Sequence, residues 1–389
     1  MLKHTLNLHA RDLLFFNDAR TMGGATEGAG VQWPLPSVLH SAILSAFHER
    51  WPELDAAHES QHKHRCDNDR NYDRSSLRFG GLRTMGPFPC QDSTIYLPTP
   101  ADLMPGSIMQ PMCMPAGAET NLPDPLRYAV AANIPPTKET TGGWISCTEF
   151  AKYLNGDTNA RTVKTGELYD SETRAGVGID ANTHAKASGK FYQAQYLRLR
   201  KEIQLTAWAT AEAIRFGQKA NGEPGKDLLA EFASCGLSLR LGGQGGTATA
   251  AMQASRPLNI PAPAKGCLRL KWILLSPAIF NAGWLPGWID AATGEIRLTF
   301  DKQPIAGRLV AARIPKPVTT SGWKLDTKGS SAGTPKATRL LAAAGSVYYF
   351  ELTDAEAASR FVQALHLRPK SDLLGEKGFG LGAVGAWIF

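Results

Sequence analysis

No Cys-x-x-Cys pair occurs in this sequence; its six cysteines, Cys66, Cys90, Cys113, Cys147, Cys235 and Cys267, stand far apart. That spacing suits neither a disulfide framework nor a zinc knuckle. No run of 18 apolar residues occurs either. The best stretch, 270–288, is broken by Ser276, Pro277, Asn281, Gly283 and Pro286, so no membrane span is expected. The first nine residues alternate apolar with polar instead of forming an apolar block, so no signal peptide is expected and the cytosol is the expected compartment. The phosphate-loop pattern G-x-x-x-x-G-K-[ST] is missing, and with it the commonest short signature of nucleotide hydrolases.

What is present is a 389-residue chain, 43% hydrophobic and 20% charged. That length exceeds what one core usually supports, so two domains are expected, 1–200 and 201–389. The net charge is +7, and its location is more informative than its size. Between 302 and 339, eight basic residues (Lys302, Arg308, Arg313, Lys316, Lys324, Lys328, Lys336, Arg339) face one acid, Asp326. Concentrated positive charge suits a polyanion, because each phosphate contact releases condensed counterions; a solvated loop with a biased composition fits the same residues.

Residues 3–9 alternate with period two and read as a first strand. A Gly-rich loop follows at 22–30. Ser37 is placed to cap a helix whose apolar face is Val38, Leu39, Ala42, Ile43, Ala46 and Phe47. Residues 55–74 read as a hydrophilic loop, and 98–143, rich in Pro, Gly and Met, as irregular. Short strands are expected at 77–85 and 94–97, and a short helix at 148–154. Strands follow at 174–180, 191–199, 203–209, 237–241, 268–275, 309–314 and 346–352. Thr353-Asp354-Ala355-Glu356 reads as a capping box ahead of a helix carrying Ala357, Ala358, Phe361, Val362 and Leu365. The glycines between 375 and 385 are expected to lead into a last strand at 386–389.

Gly380-Leu381-Gly382-Ala383-Val384-Gly385 matches G-x-G-x-x-G, but a dinucleotide site needs a helix opening straight after those glycines. The Ala386-Trp387-Ile388-Phe389 that follows gives none. Glycines without side chains also let a backbone approach phosphates closely, or simply make a tight turn. His58, His62, His64, Cys66, Asp67 and Asp69 are ligand-type residues, and His58-Glu59-Ser60-Gln61-His62 spells H-E-x-x-H. A zinc site of that kind needs the two histidines on one helix face, but this stretch reads as a charged loop. His48, at the end of the first helix, is a candidate general base for RNA cleavage or a structural histidine. Asp12 and Asp18 flank Leu13-Leu14-Phe15-Phe16 as turn formers. Lys186, Lys190, Arg198, Arg200 and Lys201 lie among Phe191, Tyr192 and Tyr196. Cations that track phosphates beside rings that stack on bases are the general means of holding single-stranded RNA.

Five segments, in order along the chain, carry a family resemblance. They are 11–20 (Arg-Asp-Leu-Leu-Phe-Phe-Asn-Asp-Ala-Arg) with its Gly-rich sequel, Trp33-Pro34-Leu35-Pro36-Ser37, 172–180 leading to Tyr196-Leu197-Arg198-Leu199, Gly345-Ser346-Val347-Tyr348-Tyr349-Phe350-Glu351, and Gly378-Phe379-Gly380. Together they resemble the third subunit of the Cmr module, the type III-B CRISPR effector complex, within the RAMP superfamily. Asn17 departs from the pattern, standing where an arginine is common. The resemblance implies an α+β fold of two ferredoxin-like (RRM-like) domains with a protruding β-hairpin at about 172–199 and a C-terminal Gly-rich loop.

It further implies a non-catalytic, cofactor-free subunit that holds the 5′ tag of the guide crRNA. Its implied partners are the large signalling subunit and the backbone RAMP subunits, with target RNA met indirectly. The residues expected to meet RNA are Arg20, Arg174, Lys190 and Arg198, more weakly Lys316 and Lys324, and the backbone at Gly378, Gly380 and Gly382. The alternatives are a RAMP endoribonuclease that processes guide RNA, and a protein-only scaffold whose basic stretch meets an acidic partner.

Overall fold

The computed structural model describes residues 2–17, 27–28, 33–50, 81–115, 119–132, 134, 141–180, 182–212, 227–233, 237–324 and 334–388. Two compact units emerge. The first comprises Met1–Asp92, Gly166–Arg256 and Thr319–Arg339, the second Ser93–Thr165, Pro257–Val318 and Leu340–Phe389. The division expected at residue 200 falls inside the first unit, in the turn between two of its strands, because pairing across the sheet and not chain order decides what packs together.

The first unit contains β1 (His4–Ala10), α1 (Pro36–Arg50), β2 (Arg83–Gln91), a hairpin of β3 (Tyr169–Ile179) and β4 (Lys186–Leu199), then β5 (Ile203–Thr210), α2 (Leu228–Ala233), β6 (Leu237–Arg240) and β7 (Thr247–Ala254). Its strands lie in the order β2-β5-β1-β7-β6, every neighbouring pair antiparallel. With the β3–β4 hairpin and edge strand β6 set aside, this is β-α-β-β-α-β with the third strand between the first two, the ferredoxin-like arrangement.

Helix α1 starts at Pro36, one residue before the expected Ser37 cap, as proline's fixed φ favours the first helical position. Leu39, Ala42, Ile43, Ala46 and Phe47 are buried, the i, i+3, i+4, i+7 and i+8 stripe of a helix lying on a sheet. Phe47 meets Phe232 of α2 edge-on with ring centroids 5.7 Å apart. Strand β7 escaped the sequence reading: Thr247-Ala248-Thr249-Ala250-Ala251 alternates, but with small residues whose contrast is faint.

The second unit is built on β8 (Arg269–Leu274), β9 (Gly307–Arg313), β10 (Val347–Leu352), α3 (Ala355–Leu365) and β11 (Leu381–Ala386). Their order is β9-β10-β8-β11, with the short Arg368–Pro369 strand at the edge. It is the same arrangement again, antiparallel throughout. One element differs: between β8 and β9 there is no first helix, but a two-residue ribbon pairing Thr299–Phe300 with Gln303–Pro304 and isolated bridges such as Phe280↔Gly283 and Ile289↔Ile296. The α+β class and the paired ferredoxin-like arrangement both hold.

Trp272, Tyr348 and Phe350 project from the sheet toward α3 in one core cluster with Ala357, Phe361 and Leu365; Phe350 and Phe361 have centroids 4.8 Å apart. The N-cap of α3 is Asp354, accepting from the Ala357 amide at 2.8 Å. Thr353, the cap expected from the sequence, instead donates to Asp354. The 98–143 stretch is less irregular than expected, forming two short ribbons, Leu103–Met104 with Ser107–Ile108 and Gln110–Cys113 with Tyr128–Ala131.

Candidate nucleic-acid interface

The hairpin expected at 172–199 is present and longer, β3 pairing β4 from Tyr169↔Leu199 to Ile179↔Lys186. Its turn closes on Asp180, whose carboxylate accepts from the Asn182 and Thr183 amides at 2.9 Å each. Those bonds hold the acid below its usual pKa. Burial fades along the hairpin. Tyr169 and Leu197 are buried, whereas Val177, Ile179 and Phe191 are 44%, 59% and 41% exposed.

The register Glu172↔Tyr196 and Arg174↔Ala194 puts Glu172, Arg174, Tyr196 and Arg198 on one face, since strand side chains alternate. Glu172 accepts from Arg174 Nε at 3.0 Å through one oxygen and from Arg198 Nε at 2.7 Å through the other. These two bonds, Arg198 first, lower the Glu172 pKa, and Glu172 in turn raises that of Arg198. Asp12 lies 4.0 Å from Arg198, and Arg200 pairs with Asp170 at 2.9 Å. Three guanidiniums thus meet three carboxylates here.

The Tyr196 ring centroid lies 5.4 Å from that of Phe15 and 5.8 Å from the Arg174 guanidinium. Phe15 is held there by the backbone: Leu14 and Leu197 exchange amide bonds of 3.0 and 2.7 Å, and the Gly243 amide donates to Phe15 O at 2.9 Å. The first loop is therefore pinned between the hairpin and the β6–β7 turn.

That turn, Gly242-Gly243-Gln244-Gly245-Gly246, is a site feature the sequence reading passed over, although four glycines in five between two strand patterns were there to be seen. Gly242 has φ +87°, and a Cβ there would come within 2.3 Å of Phe15 O, so only glycine allows this approach. Residues 242–245 are exposed.

The C-terminal glycines do not form the open loop expected of them. Gly378, Gly380 and Gly382 are buried. The Gly378 amide donates to Gly375 O and that of Gly380 to Pro277 O, both at 2.9 Å, so these donors are spent inside the fold. Gly382 belongs to β11, which starts five residues before the strand expected at 386–389. A Cβ on Gly382 would lie 2.0 Å from Trp272 Nε1, and the packed indole is the reason for glycine at that position.

Lys190 is in β4, two positions before Tyr192. Lys316 is exposed just after β9, and Lys324 lies in a two-residue strand paired with Thr334–Pro335. Arg20 and the His- and Asp-bearing 55–74 segment lie outside the described residues. His48 is half-buried in the last turn of α1. Among the described residues, no three His, Cys, Asp or Glu side chains gather as metal ligands, and no helix is long and apolar enough to cross a membrane.

Residues 6–387 match the family model of the CRISPR-associated protein Cas_Cmr3. The chain belongs to this family, and with it to the subunits of type III CRISPR effector complexes. No curated relative matches the sequence. The chain is similar to a chain in each of two cryo-EM structures of type III-B Cmr-beta, one bound to cognate target RNA and one to target RNA and AMPPnP. Both show 11% identity, covering 89% of this chain and 86% of theirs, with TM-scores of 0.47 and 0.45. It is also similar to a chain of the Csm3–Csm4 subcomplex of the type III-A interference complex, at 9% identity, 90% and 93% coverage and a TM-score of 0.40. The assignment rests on the family match.

Proposed function

We propose that this chain is the non-catalytic subunit that holds the 5′ tag of the guide crRNA in a type III-B effector complex. In that reading it docks on the large signalling subunit and on the first of the backbone RAMP subunits, and meets target RNA only through them. The observation that carries the reading is the grouping of Arg174, Tyr196 and Arg198 on one hairpin face, with Phe15 behind the tyrosine and an exposed glycine turn beside it. Cations supply phosphate contacts, a tyrosine ring offers a stacking surface, and glycines let backbone approach backbone. The C-terminal glycines have no part in it, their amides being engaged internally.

The test is reconstitution of the complex on a guide carrying 4-thiouridine in the tag, followed by irradiation. Crosslinks from the tag to peptides spanning 169–200 or 242–246 support the proposal. A tag crosslinked only to other subunits contradicts it.

A further inference from the structure

In an RRM-type domain, RNA is bound on the four-stranded sheet face that the helices leave uncovered, by side chains on the two central strands. In the second unit the central strands are β10 and β8. Trp272, Tyr348 and Val384 share one row and pack toward α3. Lys271, Tyr349 and Gly385 form the next row and point to the opposite face. Lys271 and Tyr349 therefore stand where such a domain would present a cation and an aromatic ring to RNA.

Both are buried instead, Lys271 at 2% exposure and Tyr349 at 0%, and so are their face neighbours Ile273, Val347 and Ala383. The cover is the chain's own earlier segment. The Lys271 ammonium donates to Asp102 Oδ2 at 2.9 Å and to the Tyr153 hydroxyl oxygen at 2.6 Å. The Tyr349 hydroxyl donates to the same Asp102 oxygen at 2.9 Å, and the Tyr153 hydroxyl to the other at 2.6 Å. Burial, with the Asp102 charge adding to it, holds both phenols well above their usual pKa, so they remain donors. Backbone completes the seal, as the Ala101 amide donates to Gly345 O at 2.8 Å. Leu154 lies so close over Gly385 that a Cβ there would come within 2.7 Å of it.

We infer that this face is closed to RNA by a built-in occupant: the Asp102 carboxylate takes the place a phosphate would, and no RNA reaches Lys271 or Tyr349. A buried pair whose every partner is satisfied is costly to open, since removing one member strands an uncompensated charge. RNA must then be met by the loops of this unit or by the first unit. That consequence rests on the RNA-binding reading above, while the closed face itself does not.

Two readouts keep the failures apart. The first needs no RNA. The native chain is treated with an amine-acetylating reagent and, separately, with tetranitromethane, and the products are mapped by mass spectrometry. Exposed lysines such as Lys316 are expected to react, with Lys271, Tyr153 and Tyr349 untouched, and Asp102→Asn is expected to admit acetylation at Lys271. Modification of Lys271 or Tyr349 in the folded wild type overturns the closed face. Should Asp102→Asn fail to fold, the apolar pair Asp102→Leu with Lys271→Met is used, expected to remain folded with Tyr349 still protected; nitration of Tyr349 there would count against a packed cover.

The second readout is the affinity of a single-stranded tag oligoribonucleotide for Tyr349→Phe, expected within about twofold of wild type. A loss of fivefold or more at unchanged Tm overturns the inference. An oligoribonucleotide that fails to bind the wild type contradicts the RNA-binding reading and leaves the labelling result to judge the face.

Discussion

Glu172 holds two arginines at once, one through each carboxylate oxygen, so that Arg174 and Arg198 are fixed side by side across a hairpin strand pair. The arrangement has a cost for any anionic ligand, which must compete with that carboxylate for the same donors. Glu172→Gln removes the competing charge and leaves a side chain of the same shape. We expect tag RNA to bind about threefold more tightly at ~0.1 M salt, where exposed charges are only partly screened. Fluorescence anisotropy against salt concentration checks this; weaker binding would mean that Glu172 serves the RNA by ordering the guanidiniums.

Gly382→Ala should damage the fold and not the RNA site. Its methyl group would collide with the Trp272 indole in the core of the second unit, and overpacking of that kind costs about 1–3 kcal/mol. Urea denaturation is expected to show the loss, with RNA affinity per folded molecule unchanged. A stable variant with weakened RNA binding would return Gly382 to the interface.

His366 gives stability a pH dependence. Its Nδ1 accepts from the Val384 amide at 3.1 Å and its Nε2 faces Ile260 O at 3.2 Å, a pair of bonds that only the neutral ring makes. Burial, the largest cause, lowers its pKa. A depressed folded-state pKa means that the contribution is whole above the unfolded value, about 6.5, and is lost as pH falls from there through the folded value. Urea midpoints at pH 8 and pH 5.5 should differ more for the wild type than for His366→Gln; equal differences would remove the histidine from the account.

A binding subunit leaves its RNA intact. Purified chain incubated with repeat RNA is expected to yield no site-specific cuts, and His48→Ala is expected to change nothing. Cuts abolished by that substitution would establish the endoribonuclease alternative.

Much of the fold could be read in the sequence because its periodicities are strong. The Leu39–Phe47 stripe of α1 and the Ala357–Leu365 face of α3 each recur at helical spacing, and the strands about Leu197 and Leu205 alternate. The elements that escaped lack that contrast. β7 opens with five residues of only Ala and Thr, and β11 hides in a glycine run because Trp272 packs against its backbone.

Site residues were harder to read. Arg174 and Arg198 stand out as cations among aromatics, but nothing in one dimension shows that Glu172 lies between them. Nor does it show that Phe15, far off in sequence, backs Tyr196. Asp102 and Lys271 meet from 169 positions apart, a distance at which charge pairing has no sequence signature.

The central claim is that the hairpin face grips RNA through Arg174 and Arg198. The most direct test compares wild type with the Arg174→Ala, Arg198→Ala double variant in binding a tag oligoribonucleotide across a series of salt concentrations. Two phosphate contacts to a single strand contribute about 1.4 to the slope of log K against log salt. The double variant is predicted to lose about that much slope and more than tenfold in affinity near 0.1 M salt, at unchanged Tm. An unchanged slope and affinity would contradict the account.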